Sequence, residues 1–254
     1  MTSGRWRAPV GALGIPLVVF SLAVGWYGSA TAETVSPSPA TARYSEQASG
    51  HSSDPTPSAP ADIEATPTTV QLDEALAVLE ELPDATDQAT GYLRSAFGAG
   101  WRDPDRNGCD TRNDILARDL ADVMFRPGTH DCVVTSGTLL DPYTGMTIHF
   151  VRGNVTSEAV QIDHIVPLAW AWRNGAYAWD EKRRVEFAND PDNLLAVDGP
   201  TNMSKSDLGP AEWLPPSDAF ECHYAAAFVS VLGKYSLSIP RSDRQALVET
   251  LHGC

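Results

Sequence analysis

Residues 33–70 are built of Pro, Ser, Thr and Ala and hold almost no large apolar side chain. Such a stretch cannot offset the entropy of ordering by burial. Everything that packs a core must therefore follow it. The stretch reads as an extended linker, with Ser36-Pro37-Ser38-Pro39 and Asp54-Pro55-Thr56-Pro57 as its clearest runs. Ahead of it, Arg5 and Arg7 precede an uncharged run from Ala8 to Ala32, most apolar over Ile15–Tyr27. Ala30-Thr31-Ala32 is an A-x-A cleavage signature. Residues 1–32 are thus expected to be a signal peptide, and the product to be secreted. An uncleaved membrane anchor is the alternative, since about 20 apolar residues can span a bilayer. That leaves 71–254 as one folded domain.

Over 71–254 the patterning mixes helices and short strands without a βαβ rhythm, so the fold class is expected to be α+β. Leu72, Leu76, Val78, Leu79 and Leu82 predict a helix over 71–82. Further helices are expected over Ala89–Phe97, Asp114–Val123, Asp180–Phe187, Tyr224–Leu232 and Arg241–His252. Strands are expected over Cys132–Thr135, Met146–Val151, Val160–Val166 and Leu194–Val197. The turn cluster Asp141-Pro142-Tyr143-Thr144-Gly145 separates the first two strands.

Four cysteines in an exported chain predict disulfides. Three connectivities are open. Sequence neighbours are the first choice: Cys109 with Cys132, and Cys222 with Cys254. Zinc is the competing reading, and no C-x-x-C pair supports it.

Charge limits the function. The chain carries 18 Lys+Arg against 33 Asp+Glu, a net of -15. A protein that grips nucleic acid by bulk charge needs a basic surface. Any chemistry on nucleic acid here must come from a local site with few phosphate contacts.

The informative stretch is Gln161-Ile162-Asp163-His164-Ile165-Val166-Pro167-Leu168. Neighbours on a strand point to opposite faces, so Asp163 and His164 meet one phosphate only if the strand end is distorted. Downstream, Asn189-Asp190-Pro191-Asp192-Asn193-Leu194-Leu195 turns into a strand. Asp198-Gly199-Pro200-Thr201-Asn202-Met203-Ser204-Lys205 then opens a helix, with Pro near its first position. Asn202 and Lys205 stand at i and i+3 and share a helix face.

Taken together, these residues resemble the HNH endonucleases of the ββα-metal fold, and in particular an exported bacterial branch related to the C-terminal domain of GmrSD-type restriction enzymes. The resemblance spans most of Tyr92–Cys254. It includes Asn107-Gly108-Cys109-Asp110-Thr111-Arg112, Leu116-Ala117-Arg118-Asp119-Leu120, the Asp141–Gly145 cluster, Asp163–Pro167, Ala171-Trp172, Phe187-Ala188-Asn189-Asp190, Asn193-Leu194, Asn202, Lys205 and Trp213-Leu214-Pro215-Pro216. It implies a ββα-metal core inside a mainly helical domain with short antiparallel strands.

The resemblance also implies a metal-dependent endonuclease acting on phosphodiester bonds, of DNA ahead of RNA, and leaving a 5′-phosphate. Asp163 and Asn202 would hold one divalent cation, Mg²⁺ or Mn²⁺, through hard oxygen ligands. His164 would be the general base, with an unperturbed midpoint of about 6.5. Asn193 would fix the histidine loop, and Lys205 would contact phosphate or developing charge. The sequence departs from many members at Asn202, where they carry His. Arg112 or Arg118 is expected to grip substrate phosphate, against an ion-pair network on the same helix. Trp170, Trp172, Tyr177 and Trp179 are read as core ahead of base-stacking. Two alternatives remain: a catalytically inactive binding module of the same fold, and a secreted cell-wall metal hydrolase. An inhibitor protein is left open as a partner.

Overall fold

The structure is a computed structural model, and it describes residues 67–86, 89–154 and 156–254. The signal peptide expected at 1–32 lies outside the described residues. So does the linker expected at 33–70, save for its last four positions. Those positions are ordered by the next element. Thr68 caps the first helix, α1 (Thr69–Glu81): its hydroxyl accepts from the Gln71 backbone N–H, while the Gln71 side chain accepts from the Thr68 N–H.

After α1 come α2 (Thr111–Asp119), β1 (Ala121–Phe125), β2 (Val134–Leu140), β3 (Thr147–Val151) and β4 (Val160–His164). Then follow α3 (Leu168–Arg173), α4 (Glu181–Ala188), β5 (Leu194–Asp198), α5 (Gly199–Lys205), α6 (Asp218–Tyr235) and α7 (Arg241–Gly253). The fold is α+β, as expected. Strands β1, β2 and β3 form one antiparallel sheet, and β4 and β5 form a second antiparallel pair.

Several elements differ from expectation. Only a 3₁₀ turn, Arg94–Phe97, forms where a helix was expected over Ala89–Phe97. Gly91 and Gly98 bracket it with φ of 76° and 88°, which stops propagation. Helix α2 ends at Asp119 and not Val123, and the next residues pair with β2 as β1. The β-branched Val123 and aromatic Phe125 there suit a strand. Strand β2 starts two residues later than expected and runs to Leu140. The short helix α3 falls on Leu168–Arg173, directly after Pro167.

The two-stranded unit sits between two apolar cores. Period-two alternation sends Val160, Ile162, Leu194 and Ala196 into one core with Ile115, Leu116, Val134 and Phe150 of the three-stranded sheet and α2. Leu195 and Val197 face the other core, built from α1, α3, α6 and α7 with Tyr143, Phe187 and Tyr224. Helix α5 follows β5 without a loop: Asp198 caps it through the Thr201 N–H, and Pro200 stands in its first turn. A side chain at Gly199 would put Cβ 2.0 Å from the Glu158 carbonyl oxygen, so only glycine allows this close approach. Strands β4 and β5 with α5 make the ββα unit that the resemblance implies.

Both first-choice disulfides are present, Cys109–Cys132 and Cys222–Cys254. The second closes a sequence separation of 32 and ties the end of α7 to α6. Replacing both Cys222 and Cys254 by Ser is expected to lower stability by about 3 kcal/mol. Urea unfolding of the variant against the parent checks this.

Candidate active site

Register places Asp163 opposite Leu195 and His164 opposite Leu194, the last pair of the β4–β5 ladder. Beyond it the chain bends, and Asn193 holds the bend. The Ile165 N–H donates to the Asn193 carbonyl (2.9 Å). The Val166 N–H donates to Asn193 Oδ1 (2.8 Å), and Asn193 Nδ2 donates back to the Val166 carbonyl (3.3 Å). Asn193 is fully buried. The distortion thus comes immediately after His164, and Asp163 and His164 both line one open cavity of about 500 Å³. Asn202, Arg94, Tyr92, Ser206 and Asp207 also line it.

Asp163 keeps strand alternation and points toward the helical core. Its Oδ2 accepts from the Tyr143 hydroxyl (2.6 Å) and lies 2.8 Å from Lys205 Nζ. Lys205 is fully buried and also donates to the His164 carbonyl (2.8 Å). Burial lowers its ammonium, and the Asp163 carboxylate works against that. Burial first, and then the Asp163 charge, raise the Tyr143 phenol well above its usual range. Lys205 therefore neutralises Asp163 from inside the fold. Lys205 was expected to contact phosphate or developing charge; its side chain has no exposure, and its ammonium is engaged by Asp163 and the His164 carbonyl.

His164 points to the other side, beside Trp101, with ring centroids 5.8 Å apart and planes 10° apart. Its Nε2 is 2.9 Å from the Ala188 carbonyl. A carbonyl only accepts, so Nε2 carries the proton and Nδ1 is left as the basic nitrogen. Burial pushes the imidazole down to about 4, and the bond to Ala188 only partly offsets this. The ordinary midpoint of 6.5 is thus not kept in the fold.

Asn202 donates through Nδ2 to Gln161 Oε1 (2.9 Å), which fixes its amide plane. Among the described residues no hydrogen bond reaches Asp163 Oδ1 or Asn202 Oδ1. One carboxylate and one amide oxygen without protein donors, at the same cavity, fit a hard divalent cation that keeps most of its waters.

The two arginines expected to bind substrate do not line the cavity. Arg118 chelates Asp119 (Nε–Oδ1, 2.5 Å) and donates to the carbonyls of Pro191 (2.9 Å) and Leu194 (2.7 Å). Asp119 in turn accepts from the Ala196 N–H (2.8 Å), so the pair anchors β5. Arg112 is half-buried against Arg152, and its Nη2 donates to the Val160 carbonyl (3.4 Å). Both guanidinium groups are thus engaged by the protein, away from the cavity. Trp170 is buried, and Trp172 and Trp179 pack on the helical core, in line with a core role; Tyr177 is exposed.

Tyr143, Gln161, Trp101 and Arg94 are the neighbours that the motif reading missed. Gln161 stands two before Asp163 on a strand, so its place on the same face was available from the period. Tyr143 offered a weaker signal, an aromatic inside a polar turn cluster. Upstream, Asp103, Asp105, Asn107, Gly108 and Asp114 follow the order D-x-D-x-N-G-x₅-D of oxygen-lined cation loops. Here their polar atoms bond one another, with Asn107 Nδ2 donating to Asp105 (3.0 Å) and Asp114 (3.1 Å). Among the described residues no group of three or more His, Cys, Asp or Glu side chains is placed to hold an ion.

With this geometry in place, comparison with known proteins gives two matches. Residues 110–250 match the family described as GmrSD restriction endonucleases, C-terminal domain, over more than half of the chain. The chain belongs to that family. The match takes in the whole ββα unit and stops short of Arg94, Trp101, Cys109 and Cys254. An uncharacterized secreted protein of Arthroderma benhamiae is 36% identical over 148 residues, which is 58% of this chain and 68% of the relative. No solved structure gives a significant match. Family membership connects the chain to nucleases and so to nucleic acid. None of the described helices is long and apolar enough to cross a membrane.

Two outcomes follow from the buried donors and the histidine. Tyr143→Phe keeps the ring in the core and removes only the bond to Asp163. A bond to a charged group contributes about 1.5–3 kcal/mol, and the variant should lose an amount in this range in urea unfolding. For His164 the folded state favours the neutral ring. Its contribution to stability is full above the unfolded value of about 6.5 and is lost as pH falls toward about 4. In chelator, the urea midpoint of the parent should fall more steeply across that window than that of His164→Gln.

Proposed function

We propose that this chain is an endonuclease that hydrolyses phosphodiester bonds of DNA, with His164 as general base and one Mg²⁺ or Mn²⁺ held by Asp163 and Asn202. The observation that carries this reading is the division of labour at the end of β4. His164 commits Nε2–H to the Ala188 carbonyl and keeps Nδ1 as an acceptor. Asp163 commits Oδ2 to Tyr143 and Lys205 and keeps Oδ1. Both line the same cavity as Asn202. Membership of a restriction-endonuclease family supports the reaction class.

In this mechanism His164 Nδ1 takes a proton from the attacking water. A neutral imidazole is needed for that step, and burial keeps it neutral through the physiological range. The Ala188 carbonyl fixes the ring's tautomer and stabilises the imidazolium once it forms. Asn193 holds the bend after His164, so the base does not swing away from the cavity. Asp163 and Asn202 would hold the cation, which when bound would supply positive charge to the scissile phosphate and to the leaving 3′-oxygen. The product carries a 5′-phosphate. The signal peptide expected at 1–32 and the secreted relative both support secretion of the protein.

Plasmid cleavage with Mg²⁺ or Mn²⁺, beside Mn²⁺ calorimetry, tests the assignment. His164→Ala is expected to lose about 100- to 10,000-fold in rate and to bind Mn²⁺ as the parent does. Asp163→Ala deletes the charged ligand and is expected to weaken Mn²⁺ binding itself. Parental cleavage by His164→Ala would place the active site elsewhere. Loss of Mn²⁺ binding in that variant would make His164 a ligand.

A further inference from the structure

The charges lining the cavity are already matched in pairs, with one exception. Asp163 has Lys205 at 2.8 Å. Asp207 has Arg173, with Nη1 2.5 Å from Oδ2, and Arg173 Nη2 also donates to the Asp207 carbonyl (2.8 Å). Among the described residues that line the cavity, Arg94 is the only Arg or Lys. It is exposed and makes no hydrogen bond or ion pair among the described residues. The cavity therefore carries one uncompensated positive charge, on a chain whose net charge is -15.

The backbone beneath Arg94 is firmly held. Arg94–Phe97 is a 3₁₀ turn. Phe97 is buried at its end, with its ring centroid 6.1 Å from that of Phe187 and 6.4 Å from that of Trp172. Arg184 Nε donates to the Ala96 carbonyl (2.9 Å), which ties the turn to α4. Gly98 lies so close to Val185 that an added Cβ would meet its methyl at 2.9 Å. The turn is docked on both sides, while the guanidinium it carries is free.

We propose that Arg94 grips a backbone phosphate of the nucleic-acid substrate at this cavity, which Arg112, Arg118 and Lys205 do not line. The inference rests on the nuclease reading above. A guanidinium is always charged, and its planar fork binds a phosphate through two parallel hydrogen bonds. An acidic chain repels a polyanion at long range, so the contact must be made locally. Arg94 meets that need from a segment outside the family match at 110–250.

The test uses the secreted chain, a short fluorescent DNA duplex in chelator over a range of KCl, and plasmid cleavage with Mn²⁺. Arg94→Ala is expected to bind about tenfold more weakly, equivalent to the loss of one good contact. Its plot of log affinity against log salt should be shallower by about one. Calorimetric Mn²⁺ affinity and the thermal midpoint should stay at the parental values, which separates a lost contact from a damaged fold. Arg94→Lys should recover the slope and only part of the affinity. If Arg94→Ala binds duplex with parental affinity and slope while the parent cuts plasmid, the Arg94 inference is overturned and the nuclease reading stands. If the parent binds duplex but cuts with neither ion, the nuclease reading fails, and the slope still decides Arg94. A parent that cuts plasmid without binding duplex overturns the Arg94 inference alone, and one that does neither overturns both.

Discussion

Three chain segments meet at Oδ2 of Asp163. The carboxylate comes from β4, the phenol of Tyr143 from the turn between β2 and β3, and the ammonium of Lys205 from the last turn of α5. A buried carboxylate without a cation would cost several kcal/mol, and a buried lysine without a carboxylate as much. Each therefore requires the other. Because Lys205 also bonds the His164 carbonyl, the pairing fixes α5 against the end of β4. The positions of Asn202 and His164 depend on that seat. Removing one partner of such a pair leaves an unpaired buried charge, which is why the site and the fold are not separable here.

The turn that delivers Tyr143 is built by the same rule that buried polar groups must be satisfied. Asp141 is fully buried; its Oδ2 accepts from the Thr144 N–H (2.9 Å) and hydroxyl (2.5 Å), closing the turn. Its Oδ1 accepts from the Asp198 N–H (2.9 Å), at the junction of β5 and α5. Gly145 completes the turn with φ of 71°, a conformation that a residue with Cβ adopts at a cost. One aspartate thus sets the turn and ties it to the ββα unit. Asp119 does the equivalent work for β5 through Ala196, and Asn193 for the bend after His164.

Electrostatics divide by scale. Over the folded region 71–254, 15 basic residues face 28 acidic ones. At long range that surface disfavours a polyanion. At the cavity Asp163 and Asp207 each have a cationic partner, and burial pushes the His164 imidazole down to about 4. What a phosphate meets there is a guanidinium and, by the reading above, a divalent cation. On that reading, local site chemistry takes the place of a basic surface.

Much of this was readable along the chain. The α+β class, the two cysteine pairs, and the order of strand, strand and helix around Asp163, Asn193 and Asn202 came from local patterns: period, caps, turn residues and spacing. These depend on a few neighbouring residues, so a linear reading captures them. Boundaries were less legible. Helix α2 stops at Asp119 because Ala121–Phe125 pairs with β2, across a turn, and no signal within the segment itself encodes that partner. The roles of the cations lay furthest from the sequence. Lys205, on the exposed-looking face of a polar helix, is fully buried, while Arg94, outside every motif, faces the cavity. Arg112 and Arg118 read as phosphate ligands and are held by backbone carbonyls. Sequence determines which charges exist and how they are spaced along one element. Whether a charge meets solvent, a carboxylate or a substrate is decided by long-range packing, because the cost of burying it depends on atoms contributed by other segments.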